Sequence, residues 1–169
     1  VKPVILTIPG VSTQLTMADY LGAIRVRWGI GRNNYRVEPG LYKVGSPTKD
    51  SDVMISANYK LSFDALRKNL TGLNIWILVI DTKGVNVWCA AGKGTFGTCN
   101  LVKSIKENSL EQVVSHRKII VPQLAAPGVS GYKVKEQTGF NVLFGPIRAA
   151  DVHRFIDAGY KVTPEMRKM

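Results

Sequence analysis

The chain has 169 residues, 45% of them apolar, which is enough for one well-buried core and leaves little for a second independent domain. No apolar run approaches the roughly 18–20 residues that cross a bilayer, and the N-terminus lacks the charged start and apolar middle of a signal peptide, so a soluble body is expected. Two cysteines, with no CxxC and no Cys/His cluster, exclude a disulfide scaffold, a zinc site and iron–sulfur ligation, and point to reduced thiols in an intracellular protein.

The net charge of +11 comes from lysines and arginines in ones and twos (Arg25 and Arg27, Arg67 and Lys68, Lys103 and Lys106, Arg117 and Lys118). They lack the aromatic interleaving of an RNA-recognition surface, so no nucleic-acid partner is expected. The densest basic group, residues 161–169, reads either as a solvated tail or as the basic flank of a membrane-embedded region.

In chain order, residues 1–45 are short extended pieces punctuated by Pro3, Pro9, Gly22, Gly29, Gly31, Pro39 and Gly40. The alternation Ala23-Ile24-Arg25-Val26-Arg27-Trp28 predicts edge or antiparallel strands there. From 46 to 160 short apolar runs alternate with helical periods, the pattern of a mostly parallel sheet with crossover helices. Strands are predicted over 53–57, 74–81, 118–122 and 141–145. Helices are predicted over 62–70 and 98–116, capped by Ser62 and Thr98, and over 129–137 and 148–158. The result is one α/β domain with extra N-terminal strands. In such a sheet ligands bind beyond the carboxyl ends of the strands, which selects the loops 56–59, 81–94, 122–128 and 145–148.

After the most apolar strand, Asn86 is a natural N-cap for a short helix that Ala90 and Ala91 favour and Gly92 or Gly94 ends. Cys89 then takes the third helical position, where free backbone N–H groups and the helix dipole stabilise a thiolate, a strong metal ligand and nucleophile. Beside Trp88 and two alanines, the same cysteine also reads as a small buried apolar residue. Other chemistries fit less well. His116 and His153 fall on separate helices from Cys89, which argues against a protease dyad, and Gly92-Lys93-Gly94-Thr95 lacks the upstream glycine of a phosphate loop. Asp151-Val152-His153 hints at a cobalamin-ligating DxHxxG signature, but Ile156 stands where glycine is required, and His153 reads as a surface helix residue.

The run Asn86-Val87-Trp88-Cys89-Ala90-Ala91-Gly92-Lys93 resembles the cap-helix motif of the corrinoid proteins that methylate mercury in anaerobic microbes. That family is itself similar to the corrinoid domain of the corrinoid iron–sulfur protein of the acetyl-CoA pathway. The resemblance continues through 94–98, through 116–129 with its Val-Pro-Gln-Leu-Ala-Ala-Pro-Gly-Val, through Phe144-Gly-Pro-Ile-Arg-Ala149, and through 159–167. It implies a Rossmann-like domain binding cobalamin or a related corrinoid in the base-off form, with Cys89 as catalytic residue and lower ligand to cobalt. Asn58, Tyr59, Thr82, Asn86, Val87, Trp88, Ala90, Ala91, Gly92, Lys93, Pro122, Gln123, Gly145 and Pro146 would surround the group. The implied activity is corrinoid-dependent methyl transfer to Hg(II), a methyltransferase reaction. The implied partners are a ferredoxin-like protein with two 4Fe–4S clusters and a methyltetrahydrofolate-dependent donor. A membrane-embedded region elsewhere in the parent would put this domain at the cytoplasmic face of the membrane. Cys99 has no place in the motif. Two alternatives are a methyl carrier of the acetyl-CoA pathway, which needs no cysteine under the cobalt, and a basic binding module without a cofactor.

Overall fold

A strand covered on both faces can be apolar at every position, and Ile75-Trp76-Ile77-Leu78-Val79-Ile80 is. In the structure, a computed structural model that describes residues 7–168, this run is buried throughout. Pro3 and the rest of 1–6, expected to be extended, and Met169 lie outside the described residues.

The chain forms α1 (Met17–Arg27), β1 (Gly40–Val44), β2 (Val53–Ala57), α2 (Lys60–Lys68), β3 (Ile75–Ile80), α3 (Val87–Lys93), α4 (Thr98–Glu107), α5 (Leu110–Val113), β4 (Lys118–Val121), α6 (Gly131–Thr138), β5 (Asn141–Phe144) and α7 (Val152–Asp157). The strand order is β1-β3-β2-β4-β5. Strands β2 to β5 run parallel, and β1 adds an antiparallel edge to β3.

Alternate residues of each strand enter different cores, because side chains alternate across a sheet. Val53, Ile55, Ala57, Leu78, Ile80, Ile119 and Val121 pack under α3 to α6. Met54, Ile75, Ile77, Val79 and Ile120 pack on the other face with Phe63 of α2 and Val152 and Phe155 of α7. Helices on both faces of a mostly parallel sheet make this an α/β fold of Rossmann-like type.

The four strands over 53–145 match their expected ranges to within a residue at each end. The N-terminal expectation does not hold over 23–28, where the structure has the end of helix α1 and its C-cap Trp28. Its start is set by a capping box: Thr16 N donates to Asp19 Oδ2 at 2.8 Å and Asp19 N to Thr16 Oγ1 at 3.3 Å. Alternation over six residues could not weigh that cap. The extended part of 1–45 is β1, with residues 9–11 hydrogen-bonded to Lys43 beside it.

Helix starts also move. Tyr59, without a side-chain bond, caps α2, so Ser62 lies inside the helix. Gly97 caps α4, while the Thr98 hydroxyl accepts from Ser130 N at 2.9 Å and ties α4 to the start of α6. The 98–116 helix breaks at Ser109, whose φ of 46° is left-handed, and resumes as the single turn α5. The stretch 148–158 divides into a 3-10 turn and α7.

The segment after α7 is not a solvated tail. Met166 is buried in the second core, Ile147 N donates to Met166 O, and the Tyr160 hydroxyl donates to Asp52 Oδ2 at 2.8 Å. Burial and then the Asp52 carboxylate push the Tyr160 phenol up to about 12. Among the described residues no helix is long and apolar enough to cross a membrane.

Candidate functional site

The chain leaves β2 toward β3 on one side and later returns to β4 on the other. The topological switch point therefore lies between β2 and β4, at their carboxyl ends. These two strands pair in register only at Met54 and Ile120. Two residues after Ile120 comes Pro122, which has no N–H to donate, so the ladder cannot continue. A crevice of about 380 Å³ opens at this point. Its walls come from Ser56 near the end of β2, Ala65 and Leu66 of α2, Asn86 at the cap of α3, Val87 and Trp88 of α3, Pro122 and Leu124 after β4, and Gly145 and Pro146 after β5. A Cβ on Gly145 would stand 3.1 Å from Ile120 Cγ2, tighter than ordinary packing.

Helix α3 forms one lip of the crevice. Asn86 Oδ1 accepts from Cys89 N at 2.9 Å, which fixes the first turn, and Gly94, at φ 77°, ends the helix. Ala90 and Ala91 face inward and are buried. The turn ending at Gly128 packs against the backbone of this segment so closely that a Cβ on residue 128 would sit 2.5 Å from Phe96 O and 3.3 Å from Ala91 O. The outward face carries Trp88, Cys89, Gly92 and Lys93, all exposed. Cys89 is therefore not the small buried apolar residue that its neighbours also allowed. It is a free exposed thiol, as is Cys99 on α4.

Asn58 and Thr82, named as candidate contacts, are instead buried behind the site. Asn58 Oδ1 accepts from Thr82 N and Gly84 N, each at 3.0 Å, and Asn58 Nδ2 donates to Asp81 Oδ1 at 3.2 Å. The Thr82 hydroxyl donates to Val85 O at 2.7 Å. The network joins the loop after β2 to the loop after β3, and so sets where Asn86 begins α3. Tyr59 is likewise buried, and Gln123 opens the 3-10 turn against which α3 packs. Lys83 holds the Asp81 carboxyl below its usual range, but this pair is open to water and contributes little.

Six candidates line the crevice: Asn86, Val87, Trp88, Pro122, Gly145 and Pro146. Cys89, Gly92 and Lys93 stand on its outer lip, while Asn58, Tyr59, Thr82, Ala90 and Ala91 support it from behind. Sequence reasoning missed Ala65 and Leu66. The available signal was the position of α2, which follows directly on a strand ending at the switch point. His116 does not approach Cys89: it precedes β4, at the opposite end from the crevice, and bonds Ser51 O through Nε2. Among the described residues no group of three or more His, Cys, Asp and Glu could hold a metal ion.

Residues 23–156 match the family model described as CO dehydrogenase/acetyl-CoA synthase delta subunit. Among curated proteins, the acetyl-CoA decarbonylase/synthase complex subunit gamma of Methanopyrus kandleri is 33% identical over 75% of this chain and 27% of its own length. The protein of that name from Archaeoglobus fulgidus is 30% identical over 76% of this chain and 27% of its length. Subunit gamma 2 of Methanosarcina thermophila is 34% identical over 69% and 25%. The chain thus spans about a quarter of the length of these relatives.

Proposed function

We propose a function from one premise: the chain belongs to the CO dehydrogenase/acetyl-CoA synthase delta subunit family. It is a corrinoid-binding domain that carries methyl groups, in the manner of the acetyl-CoA pathway, and works with partner subunits of the kind its relatives' names imply. A bound corrinoid supplies a cobalt centre able to accept and release a methyl group.

The residues present fit such a group. The crevice is apolar, lies at the switch point, and suits a flat aromatic base of the size a corrinoid's displaced tail carries. It is too small for the macrocycle, which would lie outside it against the exposed Trp88. Gly145 and Pro146 keep the floor open, and Lys93 places a positive charge on the same lip. Asn86 fixes the turn that presents Cys89, the candidate lower ligand.

A second reading, delivery of the methyl group to Hg(II), is favoured by one observation. The thiol of Cys89 is exposed on the outward face of a capped helix at the crevice mouth. A methyl carrier of the acetyl-CoA type needs no thiolate under the cobalt, whereas electron donation from sulfur would favour transfer of the methyl group with carbanion character. In that reading the reductant is a small ferredoxin-like protein.

Reconstitution with cobalamin tests both. The wild-type chain is expected to bind cobalamin base-off, and Cys89→Ala to bind it with a changed absorption spectrum. Cys89 is exposed, so the substitution should alter stability by no more than about 0.5 kcal/mol. Identical spectra would sink thiolate ligation, and failure of both chains to bind would sink the corrinoid reading. Methylmercury formation that survives Cys89→Ala would remove the role of the thiolate in the second reading, and its absence from the wild-type chain would remove that reading itself.

A further inference from the structure

Helix α1 is apolar on two opposite faces, and only one of them is covered. Toward the body, Val26 is buried, Gly22 lies so close to the Tyr35 ring that a Cβ would clash with it, and Asp19 is ion-paired to Lys60 and Arg67. These contacts hold the helix in one orientation. The other face carries Met17, Tyr20, Leu21, Ile24 and Trp28, each between 49% and 81% exposed. At 3.6 residues per turn these five fall within an arc of about 100°. Ile30, in the turn that follows, is also exposed. Isolated exposed apolar residues are ordinary, but a continuous stripe on a rigid helix marks a surface that something covers.

The charges around the stripe identify the occupant. Arg25 and Arg27 project from the two sides of the apolar arc, and Arg32 and Arg36 follow, all exposed. From Tyr20 to Val37 the sequence has four arginines and no carboxylate. Asp19, at the head of the helix, is neutralised on the inner side. A second copy of the chain would set these arginines against their own counterparts, which disfavours a symmetric dimer here. A layer of anions beside an apolar layer matches the pattern, because arginine can lay its stem along apolar surface and keep its charged head among phosphates. We infer that this face of α1 rests on an anionic lipid surface, with the apolar stripe at the boundary between headgroups and acyl chains and Arg25, Arg27 and Arg32 at lipid phosphates.

Co-sedimentation of the 169-residue chain with lipid vesicles tests this. Wild type is expected to bind vesicles of phosphatidylcholine mixed with phosphatidylglycerol on the order of a hundredfold more tightly than phosphatidylcholine alone, from three arginines near the surface. Leu21→Ser with Ile24→Ser, at two exposed positions, is expected to abolish binding at unchanged net charge. Arg25→Gln with Arg27→Gln should erase most of the preference for the anionic lipid. Three results would overturn the inference: no binding to either vesicle; undiminished binding of the serine variant, which would show a diffuse effect of the positive charge alone; or a dimer in solution that the serine variant dissociates, which would make the occupant a second copy. Vesicle binding does not depend on a corrinoid, so it stands or falls separately from the proposed function.

Discussion

The side-chain oxygen of Asn58 accepts from the buried N–H of Thr82 and the half-buried N–H of Gly84, and its nitrogen reaches a carboxylate on the neighbouring loop. Replacing it with alanine leaves the Thr82 N–H buried without a partner, a heavier penalty than losing one exposed hydrogen bond. Asn58→Ala is expected to cost roughly 2–3 kcal/mol, measured by urea unfolding, and to loosen the start of α3. Cys89→Ala, on the exposed lip, should leave the unfolding midpoint where it is. The two substitutions therefore separate residues that build the site from residues that act at it. A stability loss at Cys89 comparable to that at Asn58 would contradict this division.

At the scale of elements, α1 and α2 are joined by ionic contacts more than by apolar packing. Asp19 and Asp64 share Lys60 and Arg67, at 2.6 to 2.8 Å, and Arg67 also donates to Ser12 O. Burial pushes the Asp19 carboxyl up, but Lys60, Thr16 and Arg67 together outweigh it and hold the group far below its ordinary 3.8. Because the folded value lies below the unfolded one, the stabilisation is fully present above about pH 4 and is lost as the pH falls below it. Asp19→Asn is therefore expected to be less stable than wild type at neutral pH, with the gap closing between about pH 4 and pH 2 in acid unfolding curves. A gap independent of pH would show that the carboxylate charge has no part in holding α1.

At the scale of the molecule, the two faces of the sheet are closed by different parts of the chain. One face is covered by the helices between β3 and β5. The other needs α2, α7 and the segment beyond α7, whose Met166 completes the second core. Met166→Ala is expected to cost about 2–5 kcal/mol in denaturant unfolding, as deletion of a buried side chain does. A loss below about 0.5 kcal/mol would return this segment to the status of a surface tail. Since the crevice is walled by β2, β4, α2 and the loop before α7, its shape depends on both cores being intact.

Local signals in the sequence were enough for the parallel strands, whose all-apolar runs between turn residues have few other uses, and for α3, where Asn86, the alanine pair and the closing glycine lie within nine residues. They also selected the carboxyl ends of the strands, where the crevice lies. The alternation over 23–28 misled because on helix α1 its apolar residues divide between opposite faces, Val26 inward and Ile24 and Trp28 outward, and the deciding cap lies upstream at Thr16. Which face of α3 looks outward was settled only in three dimensions, where Ala90 and Ala91 are buried against the body and Cys89 is left on the solvent side. The same holds for Asn58 and Thr82, whose polar groups suggest a ligand until distant loops meet around them, and for the basic end, whose Met166 finds a core that includes residues a hundred positions away. Backbone preference acts between near neighbours, but burial is a property of the assembled surface, and no stretch of sequence carries it alone.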